Sequence, residues 1–356
     1  MIRTGFKASA SLSYTTMFAL ENLGNTCYFN TTIQCLFHTK DFRSIFDNQI
    51  YSGPTIDVFR EFNKTIQEND QDAVDKALKD LLIHIQKSFG DKMIMVTQND
   101  MCEFLLLLFD LLNTEMKTEM SDEECLQHKN KLAQYHKIPA SSSETIHKFN
   151  IICIRKWVDH FKTEYNDINN LTSFMTVSQI KCACSKVHHN YEVNNTLQLD
   201  IKECSELKES LNQYVKSVYF NNGDEENIEW TCDKCKEQKK SKKVTTFWKF
   251  PNMLIIFLKR FVMKENGSLT KLTHEVSFEK ELDLSKFVLS NSHSSIYTLR
   301  SIGCHKGRLN YGHYYAMLRH EDRWVKADDE TLIEVDSINR GIHRDAYMLV
   351  YERMTD

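Results

Sequence analysis

The sequence predicts an α+β fold, because helical patterning fills the first part of the chain and strand patterning the rest, with the change near Phe174. On the helical side, Asp72 to Phe89 carries apolar residues at 74, 78, 81, 82 and 85, close to the spacing of one helix face. On the strand side, Met253 to Leu258 is a short, continuous apolar run bounded by Pro251 and by Lys259-Arg260, the pattern of a buried central strand.

Taken in order, residues 1–15 are polar and Ser-rich and are expected to form a flexible lead-in. Helical texture runs from Thr26 to about Tyr135. It begins with a helix-like segment from Phe29 to His38 behind a Gly/Asn turn. Met101 to Leu112 is apolar almost all round, which predicts a buried helix. Asp100 and Glu103 fall in its first turn, where acids are favoured. Ala140-Ser141-Ser142-Ser143 is the best loop candidate. Val187 to Ile201 alternates loosely. Further strands are expected at Tyr297–Cys304, Gly312–Arg319, Arg323–Ala327 and Ala346–Tyr351.

A chain of 356 residues can form one large domain or two smaller ones, each with its own core. With 41% hydrophobic and 26% charged residues, it has the composition of a globular protein and not of a disordered one. A formal net charge of -4 excludes a strong global attraction to nucleic acid, and no nucleic-acid partner is expected. The longest apolar run, Phe104 to Leu112, contains Asp110 and is too short to span a bilayer, so no membrane association is expected. Eleven cysteines without a visible secretory signal fit reduced thiols and metal ligands better than disulfides. The expected location is cytoplasmic or nuclear.

Cys27 lies in the run Glu21-Asn22-Leu23-Gly24-Asn25-Thr26-Cys27. A turn followed by a helix would place its sulfur near the positive end of the helix, where a thiolate is favoured. Such a nucleophile needs a His folded back onto it, and His313 follows a Gly that permits close backbone approach. Together they propose acyl transfer through a thioester. Asp328 and Asp329 follow the strand 323–327, and one of them could orient and charge the imidazole. Asn22 could donate its amide to the oxyanion. Each residue also has a bland reading: an inert buried thiol, a core imidazole, solvated turn acids, a turn Asn.

The ordered set of segments resolves those choices. The Cys27 segment, Glu21 to Leu36, resembles the Cys box of the ubiquitin-specific proteases, papain-like cysteine deubiquitinases. His305 to Met317, continued through Trp324 to Asp329, is similar to their His box. Gln98-Asn99-Asp100-Met101-Cys102-Glu103-Phe104 resembles the family's Gln-Gln-Asp-Ala-x-Glu-Phe box. Pro251 to Phe261 resembles its strand ending Leu-Lys-Arg-Phe, and Ala346 to Tyr351 its closing strand. The matches stand in family order from about residue 18 to the C-terminus.

The resemblance implies a papain-like fold with a helical thumb at about 16–145 and β fingers and palm at about 146–356. It implies Cys27 as nucleophile, His313 as base, Asp328 as triad acid with Asp329 assisting, and Asn22 as oxyanion donor. It further implies that Asp100 and Glu103 grip the cationic tail of ubiquitin and that Gln98 and Tyr314 are substrate-binding, with ubiquitin and ubiquitinated proteins as partners. The expected activity is hydrolysis after the C-terminal glycine of ubiquitin. The alternatives are a ubiquitin-binding module without catalysis and an isopeptidase for another ubiquitin-like modifier. An activating partner is not legible.

Cys232-Asp233-Lys234-Cys235 has the spacing of half a zinc knuckle. Cys182-Ala183-Cys184 stands where the resemblance places the other half, one residue short. His188 and His189 are spare ligands nearby. A structural zinc on Cys182, Cys184, Cys232 and Cys235 is therefore expected. Asn99, Met101 and Tyr311 depart from the family pattern. The basic run Lys236 to Lys243 is expected to be a solvated loop.

Overall fold

The computed structural model describes residues 17–68, 70–136, 138–221, 223, 228–264, 266–288, 294–308 and 311–354. The expected lead-in at 1–15 lies outside them. The chain divides into two compact units: residues up to Glu115 with Arg300–Ile338, and Met116–Leu299 with Asn339 onward.

The first unit opens with five helices: α1 (Cys27–Phe37), α2 (Lys40–Asp47), α3 (Pro54–Glu68), α4 (Gln71–Phe89) and α5 (Met101–Met116). Every residue of α1 is buried. An aromatic cluster fixes it: Phe37 stacks on Phe46 at 5.7 Å and meets Phe62 edge-on at 5.2 Å. Each such pair adds roughly 0.5–1.5 kcal/mol beyond its burial. α4 starts where the Asp70 carboxylate accepts from the backbone N–H groups of Asp72 and Ala73, and it ends at Gly90, whose φ is 56°. α5 is less uniformly buried than expected, because Leu106 stands 44% exposed while Phe104, Leu105, Leu108 and Leu112 are buried.

The second unit begins with α6 (Asp122–Tyr135), α7 (Glu144–Glu164) and α8 (Asp167–Thr172). The helical region thus extends past Tyr135. Asn150, Cys153, Ile154, Trp157, Val158 and Phe161 face inward along α7 at helical spacing. The Ser-rich loop ends at Ser143, whose hydroxyl accepts from the N–H of Ile146 and caps α7. There follow β1 (Phe174–Cys182), β2 (Val187–Asn194), β3 (Leu197–Asp200), α9 (Leu207–Val215), β4 (Val218–Phe220) and β5 (Ser241–Lys249). A four-stranded sheet runs in the order β2-β1-β5-β4. α6 and α7 pack on it through Leu132, Trp157, Phe161, Met175, Val177 and Trp248. The basic run at 236–243 is not wholly a loop: Lys242 and Lys243 are strand residues paired with Lys181 and Ile180.

The predicted central strand is β6 (Met253–Lys259), buried from Met253 to Leu258. β7 (Phe261–Met263) and β8 (Leu269–Lys271) form a short hairpin, and β9 (Glu281–Asp283) follows. Arg260, fully buried between β6 and β7, donates to the carbonyls of Leu272, His274, His343 and Ala346. Its fork of donors satisfies loop carbonyls that would otherwise be buried unpaired.

The remaining strands are β10 (Ile296–Arg308), β11 (Tyr311–His320), β12 (Arg323–Asp328) and β13 (Thr331–Val335); after them come α10 (Arg340–Asp345) and β14 (Ala346–Arg353). In the first unit the antiparallel order is β10-β11-β12-β13, and α1 lies against β11 and β12. In the second, β6 pairs antiparallel with β14 and parallel with β3. Among the described residues no helix is long and apolar enough to cross a membrane.

Candidate active site

Cys27 is the first residue of α1, so its thiol sits over the unpaired N–H groups of the helix start. The turn before it needs two left-handed residues, Gly24 at φ 101° and Asn25 at φ 54°. Asn22 builds that turn. Its side-chain oxygen accepts from the N–H of Gly24 at 3.0 Å and of Thr26 at 3.3 Å. With the oxygen held there, the amide nitrogen points away and donates to Asp329 Oδ2 at 2.7 Å. One of its two amide hydrogens is used, and the other remains.

β11 brings His313 to this turn. Its Nε2 meets Asp328 Oδ1 at 2.5 Å, and the Cys27 side chain is close enough to act on the imidazole's titration. Cys27 is the strongest influence on His313 and Asp328 adds to it, against partial burial, so the imidazole is raised to about 9. Gly312 is required for this approach, since a Cβ there would run into the His305 ring. The Gln98 amide donates to the Gly312 carbonyl at 3.3 Å and so holds the strand that carries His313.

The two acids do different work. Asp328 spans His313 and Lys326, whose ammonium meets Oδ2 at 2.5 Å and lies 4.5 Å from the Tyr315 ring centroid. The Asp328 carboxyl is held below its usual range by Lys326 and His313, against the opposing effect of burial, which is the largest single influence. Asp329 Oδ2 is 4.0 Å from His313 Nε2. The Asp329 carboxylate accepts from the Asn22 amide at Oδ2 and from the Asn30 amide at Oδ1, the latter at 2.8 Å, and so ties the end of β12 to α1. Asn30 and Lys326 escaped the sequence reading. Asn30 stands beside Thr31, Thr32 and Gln34 in α1, so polarity alone did not single it out.

The remaining predicted residues are spread more widely. Asp100 Oδ1 accepts from the N–H of Cys102 at 2.8 Å and of Glu103 at 3.1 Å, so this carboxylate caps α5. Glu103 is exposed. Tyr314 is buried, its ring 4.5 Å from that of His305, and burial with the neighbouring Asp100 raises its phenol well above the ordinary value. Tyr311 is 85% exposed.

The four knuckle cysteines converge in the second unit, because the β1–β5 register places Cys182 opposite Ser241. Their sulfurs lie within 4.8 Å of one another, with Cys182–Cys235 at 3.9 Å and Cys184–Cys232 at 3.8 Å. Four thiolates around zinc at ~2.3 Å form a tetrahedron with edges of about 3.8 Å, so the set fits the ion. The short spacing is absorbed in the turn. In both knuckles the residue after the second Cys, Ser185 or Lys236, is left-handed, and its N–H donates to the carbonyl of the first Cys. Backbone N–H donors also lower the Cys232 thiol to about 6. His188 lies 3.4 Å from Cys232 Sγ but its Nδ1 is turned to Asp233. His189 packs beside Tyr191.

Fold and site together bring a thiol at a helix start, an imidazole and two carboxylates into one cluster. The family model described as ubiquitin carboxyl-terminal hydrolase matches residues 18–351, and the chain belongs to that family. It is 26% identical over 346 residues to ubiquitin carboxyl-terminal hydrolase Usp2 of Drosophila melanogaster, covering 94% of this chain and 34% of that protein. It is 26% identical over 356 residues to ubiquitin carboxyl-terminal hydrolase 2 of Homo sapiens, covering 94% and 54%. The chain therefore spans about a third to a half of the length of these relatives. Among solved structures, the SAGA DUB module of Ubp8, Sgf11, Sus1 and Sgf73 bound to monoubiquitin has a similar fold, with TM-score 0.71, 20% identity, and coverage of 96% of this chain and 70% of that one.

Proposed function

We propose that the chain is a thiol-dependent deubiquitinase that cleaves the bond after the C-terminal glycine of ubiquitin. The observation that carries the reading is the linked set Cys27–His313–Asp328 at the start of a buried helix. His313 draws the thiol proton and holds it as imidazolium, and the Cys27 thiolate attacks the glycine carbonyl. The free amide hydrogen of Asn22 and the backbone N–H groups at the start of α1 stabilise the oxyanion. His313 then protonates the departing lysine amine, and water, deprotonated by His313, hydrolyses the thioester. Asp328 keeps the imidazole oriented and charged, and Asp329 aims Asn22.

In this reading Glu103 meets the cationic tail of ubiquitin directly. Asp100 adds negative potential while capping α5, and Gln98 and Tyr314 shape the strand beside the tail. Zinc on Cys182, Cys184, Cys232 and Cys235 would cross-link the two knuckles and take no part in the chemistry.

The test is hydrolysis of a fluorogenic ubiquitin C-terminal amide, run beside covalent probes made from ubiquitin and from other ubiquitin-like modifiers. The parental chain should turn over the ubiquitin substrate and be labelled at Cys27, while Cys27→Ala should be inactive but still bind ubiquitin. Turnover by Cys27→Ala at the parental rate would sink the mechanism. Labelling by another modifier and not by ubiquitin would reassign the substrate.

A further inference from the structure

The second unit contains a cavity of about 380 Å³ built from none of the residues assigned above. That volume is within the range of small-molecule sites. Its charged and aromatic lining includes His128 and Lys131 of α6, Trp157 of α7, Tyr165, Lys249 at the end of β5 and Arg353 at the end of β14. Among the described residues no Asp or Glu lines it.

Among the described residues the basic groups have no partner of opposite charge. The Lys249 ammonium lies 4.3 Å from the centroid of the Trp157 ring, and among the described residues it makes no hydrogen bond or ion pair. Arg353 gives its terminal nitrogens to the carbonyls of Ser294, Phe250 and Pro251, yet its Nε is buried with nothing to donate to. His128 Nε2 is likewise buried without a partner. Burial, and then the Arg353 charge, lower the Lys249 amine to about 7. Burial, with Lys249 and Lys131, also lowers His128.

Like charges are thus gathered in a partly dry space where each weakens the protonation of the next. Such an arrangement costs folding free energy, offset by Lys249 on the Trp157 ring and by Arg353 on its carbonyls and the Tyr297 ring but by no opposite charge among the described residues. An oxyanion in the cavity would reverse the balance. It would pair with Lys249 in the positive potential of Arg353, Lys131 and His128, and Trp157 and Tyr165 offer faces for a ring.

We propose that this cavity is a binding site for a small aromatic oxyanion of the aryl phosphate class. The proposal stands apart from the deubiquitinase reading, since it uses neither Cys27 nor His313. The probe is phenyl phosphate, added to the full chain and followed by Trp fluorescence and saturation-transfer NMR, with phenol for the ring alone and inorganic phosphate for the charge alone. Phenyl phosphate should bind saturably with a Kd of about 1 mM or tighter, and each fragment about tenfold more weakly. Lys249→Met keeps the aliphatic stem and should weaken phenyl phosphate by about tenfold or more, while Lys242→Met, on an exposed stretch of the same strand, should not. Equal binding by the parental chain and Lys249→Met, or no saturable binding, would overturn the proposal. Should Lys249→Met fail to fold, reductive methylation of the parental chain decides. Phenyl phosphate should shield Lys249 as read by peptide mass, and an unshielded Lys249 would overturn the site.

Discussion

Asp328 and Asp329 are adjacent, yet only Asp328 touches the imidazole, and Asp328→Asn separates their roles. In the parental chain Asp328 Oδ1 is 2.5 Å from His313 Nε2 while the nearest Asp329 oxygen is 4.0 Å away. The substitution removes the negative charge and leaves an amide that can face the imidazole either way round. His313 keeps its larger support, Cys27, and loses the contribution of Asp328. Its titration should therefore fall from about 9 to a value between that and 6.5. The imidazolium must protonate the leaving amine, so activity persists below this value and is lost above it. The measurement is kcat/KM on the fluorogenic ubiquitin amide from acid to alkaline pH. The alkaline limb should move downward, and the plateau should fall by about two to four orders of magnitude, the range for an acid–base partner and its orienting acid. Asp329→Asn should leave the limb in place and lower the plateau less, because it acts through Asn22. An unmoved limb in Asp328→Asn together with a shifted one in Asp329→Asn would refute the assignment.

Asn22→Ala should lower kcat by about 10² to 10³-fold, the effect of losing one oxyanion donor. It should also lower stability by about 1–3 kcal/mol through the lost turn and Asp329 hydrogen bonds, read by urea denaturation. The His313 shift links pH to stability as well. Because the folded value lies above 6.5, the contribution is fully present below pH 6.5 and is lost as pH rises through about 9. The thermal midpoint should decline over that window, and less so in Cys27→Ala, which lacks the main cause of the shift. Metal-replete protein should contain one zinc per chain by elemental analysis, and Cys232→Ala should release it and weaken ubiquitin binding more than kcat. Zinc near zero in folded, active protein would mean that packing alone holds the knuckles.

What local sequence determined is what short-range physics can encode. The apolar spacing of α4, the continuous run of β6 and the Gly/Asn turn before Cys27 specify their own conformations, and each is found in place. The motif order carried the family, because those segments retain their chemistry wherever the chain places them. α7 was legible too, through its inward face at 150, 153, 154, 157, 158 and 161, although the reading stopped short of it. The finer choices came from tertiary structure, because they rest on pairings between residues hundreds of positions apart. Asn22 and Asp329 are separated by 307 residues, and only folding decides that the second acid takes the Asn amides while the first takes His313. Lys249 is a second case, whereas the Asp100 cap on α5 and the Lys326–Asp328 pair are contacts two or three residues apart. A lysine beside an aromatic run reads as surface until α7 brings Trp157 over it and β14 delivers Arg353 with no acid in reach. Burial and charge are properties of neighbourhoods, and a linear chain specifies its neighbourhoods only once it has folded.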